Sequence, residues 1–300
     1  MRLPTPLVTP AWLAEHLHAP TLRVLDTSWY LPAARRDARA EYEAARVPGA
    51  MFFDVDAASD QATALPHMLP SADTFARYAA TLGVGDGDAV VVYDGSGTNL
   101  SAGRAWFMFR AFGHERVAVL DGGRERWLAG GYPVERGPAP APRPAAHPIP
   151  ARLDDRRVRD RNAMLANLAT GAEQVVDARS AGRFAGTEPE PRPGLRGGHV
   201  PGSANLPFGE LVDPATGQLL DPATLRARLA EHRVDLARPI VATCGSGTSA
   251  CAIALALESL GHDAWAVYDG SWAEWGADDA LPVAHAGAPL PDTNTPTRNG

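Results

Sequence analysis

The sequence predicts an α/β fold made of two tandem domains, each a mostly parallel central sheet flanked by helices. Three observations carry this expectation. Short apolar runs that read as buried strands alternate with helix-like runs along the chain, the pattern of parallel sheets joined by crossover helices. Five landmarks recur in the same order about 150 residues apart, which marks a duplicated unit. Between the copies, GPAPAPRPAAHPIP from Gly137 to Pro150 has the composition of a stiff linker. The expected division is a first domain over 1–137, a linker over 138–152, a second domain over 153–285 and a loose tail over 286–300 rich in Pro, Thr and Asn.

In the first unit Leu22, Val24 and Leu25 form a strand ending at Asp26, followed by a helix-like run from Arg35 to Ala45. The turn VPGA at 47–50 leads into MFFDVD, read as a second strand that ends on Asp54 and Asp56. After the loop Leu65-Pro66-His67-Met68-Leu69-Pro70, a helix is predicted from about Ser71 to Leu82, with Ser71 and Asp73 as capping candidates. AVVVYDGSGT then reads as a buried strand and a glycine-rich loop, with a helix from Ser101 to Phe112; VAVLDGG and a tryptophan-bearing helix close the unit.

The second half repeats these landmarks. VVDAR at 175–179 answers VLDTS at 24–28, and VPGS at 200–203 answers VPGA. IVATCGSGT at 240–248 answers VVVYDGSGT at 90–98, LGH at 260–262 answers FGH at 112–114, and DGSWAEW at 269–275 answers DGGRERW at 121–127. His199 falls at a turn where Arg46 stands in the first unit, so its expected role is structural. Trp272 and Trp275 are expected to pack the domain or shape a pocket.

Composition narrows the function. With 300 residues and 45% apolar content the chain can bury a sizeable core. No apolar run reaches membrane-spanning length, and the opening MRLPTPLVTPAW has neither the basic cluster nor the apolar core of a signal peptide. A soluble, cytoplasmic protein without a membrane partner is expected. Cys244 and Cys251, seven apart, cannot staple a fold of this size, which fits a reducing compartment. A net charge of -7 speaks against a nucleic-acid partner, and Asp154, Asp155 and Asp160 interrupt the arginine-rich Arg152 to Arg161. All 28 basic Lys+Arg residues are arginine, which removes a Schiff-base lysine and the lysine of a phosphate-binding Walker loop.

The stretch Pro239 to Leu257 concentrates the chemistry. Ile240, Val241 and Ala242 read as a buried strand and the run after Ala250 as an apolar helix, with Cys244 between them. Gly245, Ser246, Gly247, Thr248 and Ser249 are small enough to let several backbone N–H groups turn around one point. A sulfur there also faces the positive end of a helix dipole, a seat suited to a thiolate nucleophile. Cys251 falls two turns into the apolar helix, where core packing is the expected role. Asp94 holds in the first copy the place of Cys244 in the second, so one copy is expected to be active and the other silent.

Three chemistries use such a loop. A cysteine phosphatase needs an arginine six positions after the cysteine, and Ala250 stands there. Gly245, Gly247 and Ala250 satisfy a dinucleotide fingerprint, although it falls late in the chain and follows a cysteine that nucleotide binding does not use. Sulfur transfer remains, in which a persulfide anion is held by N–H groups without a neighbouring cation.

CGSGTSA at 244–250, the repeat with an aspartate in one copy, GRFAGTEPEPRPGLRGGHVPGS at 182–203 and YDGSWAEW at 268–275 together resemble the 3-mercaptopyruvate sulfurtransferases of the rhodanese superfamily. The resemblance covers nearly the whole chain. It implies two rhodanese-like domains with the site between them, Cys244 as sulfur carrier, and residues 245–249 as the persulfide cradle. The family loop usually reads C-G-S/T-G-V-T, whereas Thr248 and Ser249 stand here where valine and threonine are expected.

By the same resemblance Arg183 and Arg192 bind the donor, and Asp56 and His67 cross from the first domain toward Ser246 as a proton relay. A guanidinium suits the carboxylate of an α-keto acid. Simpler roles stand beside these: salt bridges to Glu188 and Glu190 for the arginines, loop packing for His67, and a cap for Asp56. Thiosulfate-preferring members resemble CRKG at the loop, while Gly245 and Ser246 here are neutral, which favours 3-mercaptopyruvate over thiosulfate as donor. The expected acceptor is a small thiol, a thioredoxin-like protein or cyanide, and no metal or organic cofactor is called for. A rival of another class is a non-catalytic persulfide carrier or interaction module.

Overall fold

Two parallel sheets of five strands organise the residues described by the computed structural model, Met1 and 3–285. The expected tail at 286–300 lies outside the described residues. The first sheet contains β1 (Leu7–Val8), β2 (Leu22–Asp26), β3 (Met51–Phe52), β4 (Ala89–Tyr93) and β5 (Val117–Leu120), in the order β1-β5-β4-β2-β3. The second contains β6 (Val158–Arg159), β7 (Gln174–Asp177), β8 (Ala204–Asn205), β9 (Ile240–Thr243) and β10 (Trp265–Tyr268), in the order β6-β10-β9-β7-β8. Adding five to each strand number converts one order into the other. The duplication read from sequence landmarks is therefore a duplication of topology.

The helices are α1 (Pro10–His16), α2 (Ala38–Ala44), α3 (Ala72–Thr81), α4 (Leu100–Ala111) and α5 (Gly123–Ala129) in the first half. The second half has α6 (Arg161–Thr170), α7 (Ala181–Ala185), α8 (Pro222–Glu231), α9 (Ala250–Ser259) and α10 (Ser271–Trp275). No described helix is long and apolar enough to cross a membrane.

Local chemistry sets the boundaries. Ser71 caps α3 by accepting from Thr74 N, while Asp73 sits in the first turn without capping it. The helix expected from Arg35 starts only at Ala38, because Arg35 takes a left-handed conformation and Asp37 supplies the cap. The strand expected to run to Asp56 stops at Phe52. Asp54 Oδ1 accepts from Ala57 N and turns the chain there, so Asp56 lies on a turn. The proline-rich stretch docks on the first domain, with Ala145 N donating to Ala80 O and Asp86 N to His147 O.

The central strands β4 and β9 are buried at every residue, as parallel strands covered on both faces must be. Asp94 and Cys244 leave from their carboxyl ends, the edge at which open parallel sheets carry their sites. The helices that follow, α4 and α9, pack on each other and join both domains in one apolar core. At Gly103 the two helices come close enough that a Cβ would be in ordinary contact with Ala252 N, at 3.6 Å. Trp106 of α4 and Trp265 of β10 bring their rings to 5.4 Å, and a buried aromatic of this size contributes about 2–3 kcal/mol. Since each loop immediately precedes one of these helices, their packing carries the cysteine loop to the domain boundary.

Candidate active site

Cys244 is 1% exposed and sits between β9 and α9. Its N–H donates to Ser271 Oγ at 3.2 Å, and that hydroxyl lies 3.9 Å from Sγ and 2.8 Å from Tyr268 O. Ser271 itself has a φ of 48°, a conformation rare for a residue with a side chain, and its counterpart in the first unit is Gly123 at 58°. Gly247 bends the loop at a φ of 74°. Its carbonyl accepts from Cys251 Sγ at 3.0 Å, and burial pushes the Cys251 thiol up to about 12. Cys251 is thus a protonated packing residue. The backbone N–H groups of residues 245–249 donate to no acceptor among the described residues. This leaves a run of unpaired donors in the loop that follows the cysteine.

The first domain shows the same loop with its anion built in. Asp94 Oδ1 accepts from Ser96 N at 2.8 Å and Ser96 Oγ at 2.7 Å. Oδ2 accepts from Ser101 Oγ at 3.1 Å and Ala102 N at 2.8 Å. A carboxylate so saturated has no nucleophilic use. It satisfies the amino end of α4, a task that Cys244 does not perform for α9.

His67 reaches the site from the first domain on a strained loop, with a φ of 60° and 6% exposure. Its Nδ1 lies 3.1 Å from Asp56 Oδ1, while Trp29 Nε1 donates to Asp56 Oδ2 at 2.9 Å and sets its ring edge-on to His67 at 4.7 Å. The His67 imidazole foremost, then Trp29, holds the Asp56 carboxyl below its usual range. Arg104 of α4 donates to the His67 carbonyl, to Gly247 O at 3.3 Å and to Asp269 Oδ1 at 2.8 Å. One buried guanidinium thereby ties the His67 loop to the cysteine loop across the domain boundary.

The two predicted arginines differ. Arg183, on α7, pairs with Glu190 at 2.5 Å, and Glu190 is shared with Arg179, itself locked on Asp177. Arg183 also reaches over the loop, since a Cβ on Gly245 would meet its Nη2 at 2.7 Å. Glu188 instead accepts from Ser180 Oγ. Arg192 forms no salt bridge among the described residues and is half-buried; burial pushes it below the usual arginine range, and Cys244, Arg183, Glu190 and Asp56 lie within its electrostatic reach. Among the described residues it is a cation of the site without an ion-pair partner. His199 bonds Phe184 O through Nδ1 at 2.8 Å and stacks on its ring at 3.7 Å, so it braces α7.

Two adjoining cavities receive these groups. One of about 100 Å³ is lined by Cys244, Gly245, Ser246, Thr248, Ser249, Arg183 and Arg192 among others. The next, of about 400 Å³, includes Asp56, His67 and Arg192. Trp29, Leu31, Pro191 and Arg192 belong to both. The expected relay is only partly assembled: Asp56 and His67 are together, and no hydrogen bond joins His67 to Ser246 among the described residues. Trp29, Arg104, Asp269 and Ser271 were not anticipated. Ser271 carried a signal, a serine where the repeat has glycine, whereas Trp29 follows the landmark VLDTS but faces an unrelated Ser180 after VVDAR in the other copy.

Comparison with known proteins assigns the chain to a family. The profile of the rhodanese-like domain matches residues 9–130 and 160–278. The chain is 48% identical over 274 residues to the 3-mercaptopyruvate sulfurtransferase of Rattus norvegicus, covering 90% of this chain and 91% of that protein. It is 45% identical over 275 residues to the thiosulfate sulfurtransferase of Cricetulus griseus, covering 90% and 91%. The structure resembles the crystal structure of SseA from Escherichia coli, described as a 3-mercaptopyruvate sulfotransferase of rhodanese fold, with a TM-score of 0.80, 36% identity and coverage of 89% and 99%. Two matched domains, a shared topology and high identity over most of the chain establish that this protein belongs to the rhodanese family.

Proposed function

We propose that the protein is a sulfurtransferase that takes sulfur from 3-mercaptopyruvate onto Cys244 as a persulfide, releases pyruvate, and passes the sulfur to a thiol acceptor or to cyanide. The observation that carries this reading is the row of unpartnered N–H groups at 245–249 beside a buried cysteine, where the silent copy binds a carboxylate. Such preorganised donors stabilise an anion that forms during reaction.

The Cys244 thiolate attacks the sulfur of the donor, and the carbon–sulfur bond breaks with its electron pair passing to the donor carbon. The resulting enolate takes up the proton of the donor thiol, so pyruvate leaves and Cys244 retains the persulfide anion. Arg192 grips the donor carboxylate and keto oxygen, with Arg183 beside it. His67, oriented by Asp56, moves the proton together with Ser246; the open gap between His67 and Ser246 is filled by the bound donor. A small thiol or a thioredoxin-like protein then collects the sulfur, in the cytoplasm, where Cys244 stays reduced.

Intact-mass measurement after exposure to 3-mercaptopyruvate tests this: the native chain gains one sulfur and Cys244→Ser gains none. An adduct that survives in Cys244→Ser sinks the assignment. Single-turnover release of pyruvate excludes a passive carrier. The neutral Gly245 and Ser246 imply a higher kcat/KM for 3-mercaptopyruvate than for thiosulfate, and a wide margin for thiosulfate reverses the choice of donor.

A further inference from the structure

The loop after Asp94 and the loop after Cys244 share four residues, Gly-Ser-Gly-Thr, yet their hydroxyl groups behave differently. In the first domain Ser96 Oγ donates to Asp94 Oδ1 at 2.7 Å, and Thr98 Oγ1 lies 3.1 Å from Ser96 Oγ. A serine hydroxyl has one proton, and here it goes to the carboxylate, so Thr98 is the donor in the second contact. The result is a short chain of hydroxyls ending on an anion.

In the second domain that chain is broken. Thr248 is 5% exposed, and its Oγ1 is enclosed without a hydrogen-bond partner among the described residues. Ser246 and Thr248 line the same small cavity as Cys244. A buried hydroxyl left unpaired is disfavoured, which calls for a state of the protein in which it is used.

We infer that Thr248 is a positioning residue for the sulfur-loaded state: Ser246 donates to the outer sulfur anion on Cys244, and Thr248 donates to Ser246, as Thr98 and Ser96 do around Asp94. The inference rests on the persulfide reading of Cys244. In this arrangement the Thr248 hydroxyl contacts neither the donor molecule nor the sulfur; it acts by fixing which way the Ser246 proton points.

The test uses the full chain with Thr248→Val, which keeps the shape, and Thr248→Ser, which keeps the hydroxyl. Thermal unfolding is measured before and after loading with 3-mercaptopyruvate, with the added sulfur verified by mass, and loading is timed by single-turnover pyruvate release. Thr248→Val is expected to unfold no lower than the native chain when unloaded, to gain less from loading, and to load about fivefold more slowly, the worth of one hydrogen bond. Donor KM is unchanged, Thr248→Ser restores the rate, and Thr248→Val adds nothing in a Ser246→Ala background. Unchanged loading and stabilisation in Thr248→Val, or losses that add to those of Ser246→Ala, overturn the inference. If the native chain itself takes up no sulfur, the reading of Cys244 falls instead.

Discussion

Arg104 Nη1 lies 2.8 Å from Asp269 Oδ1, a fully buried ion pair with one partner in each domain. Asp269 Oδ2 accepts from Leu69 N at 2.7 Å, and Arg104 donates to the His67 carbonyl and to Gly247 O. The pair holds the left-handed backbone of His67 against the cysteine loop. Burial is the largest single influence and lowers the pKa of Arg104, but Asp269 and Cys251 together raise it more, and Arg104 stands above its usual range.

Removing one partner leaves the other buried and uncompensated. Arg104→Met is therefore expected to cost about 3–5 kcal/mol of unfolding free energy, and the double variant with Asp269→Leu to recover much of it. Denaturant unfolding measures both. A loss of under about 1 kcal/mol for Arg104→Met contradicts the assignment of a buried charge pair.

The two site arginines are expected to separate kinetically. Arg192→Ala removes an unpaired cation and should lower kcat/KM for 3-mercaptopyruvate by about thirtyfold, mostly through KM, with little change in stability. Arg183→Ala deprives Glu190, 2% exposed at its side chain, of one of two partners, so it should lower the unfolding temperature as well. Equal kinetic losses with equal stabilities refute the asymmetry.

Much of this site was legible in the chain, for reasons that differ residue by residue. Cys244 was legible from its small-residue loop between a buried strand and an apolar helix, and comparison of the duplicated loops then exposed Asp94 as the residue in its place. The parallel α/β class followed from the alternation of buried strands and helices, whereas the order of the strands did not. Arg104 was invisible because its partners, His67, Gly247 and Asp269, lie far away in sequence and meet it only through the packing of α4 on α9. Asp56 was placed at a strand end, but a short-range bond from Ala57 N to Asp54 turned the chain first. Long-range polar contacts leave no periodic trace, whereas burial and repetition do.

Asp56 sets a pH expectation. Its folded pKa is depressed, by His67 foremost, so any stability from the contact is present above the unfolded value near 3.9 and is lost as pH falls through the lower folded value. Asp56 therefore remains ionised over the neutral and mildly acidic range, and an acid limb of kcat/KM above about pH 5 does not belong to it. Asp56→Asn should slow pyruvate release about tenfold and spare discharge of a preloaded persulfide to cyanide. An equal loss in both half-reactions argues for a general packing defect.

Cys251 offers a control on thiol chemistry. With its thiol raised to about 12 by burial, it stays protonated and should resist alkylation at about pH 8, where thiolate is the reactive form. Peptide mapping after brief iodoacetamide treatment is expected to find label on Cys244 alone. Prompt labelling of Cys251 in the folded protein shows that α9 opens and that its buried environment is not maintained.

The first-domain loop also predicts what an anion contributes to the loop after Cys244. In the first domain Asp94 satisfies two backbone N–H groups and two hydroxyls, while the N–H groups of 245–249 have no acceptor among the described residues. Cys244→Asp supplies a carboxylate in the corresponding place, and hydrogen bonds to a charged group contribute about 1.5–3 kcal/mol each where the partner is otherwise unpaired. The variant should be inactive yet more stable than Cys244→Ser by about 2 kcal/mol in urea unfolding. A carboxylate hydrogen-bonded in its charged form titrates below its unfolded value, so the advantage should hold at neutral pH and vanish as pH falls below about 4. If Cys244→Asp is the less stable of the two at neutral pH, the second loop does not present its donors as the first does, and the cradle assigned to the persulfide must be sought elsewhere in the cavity.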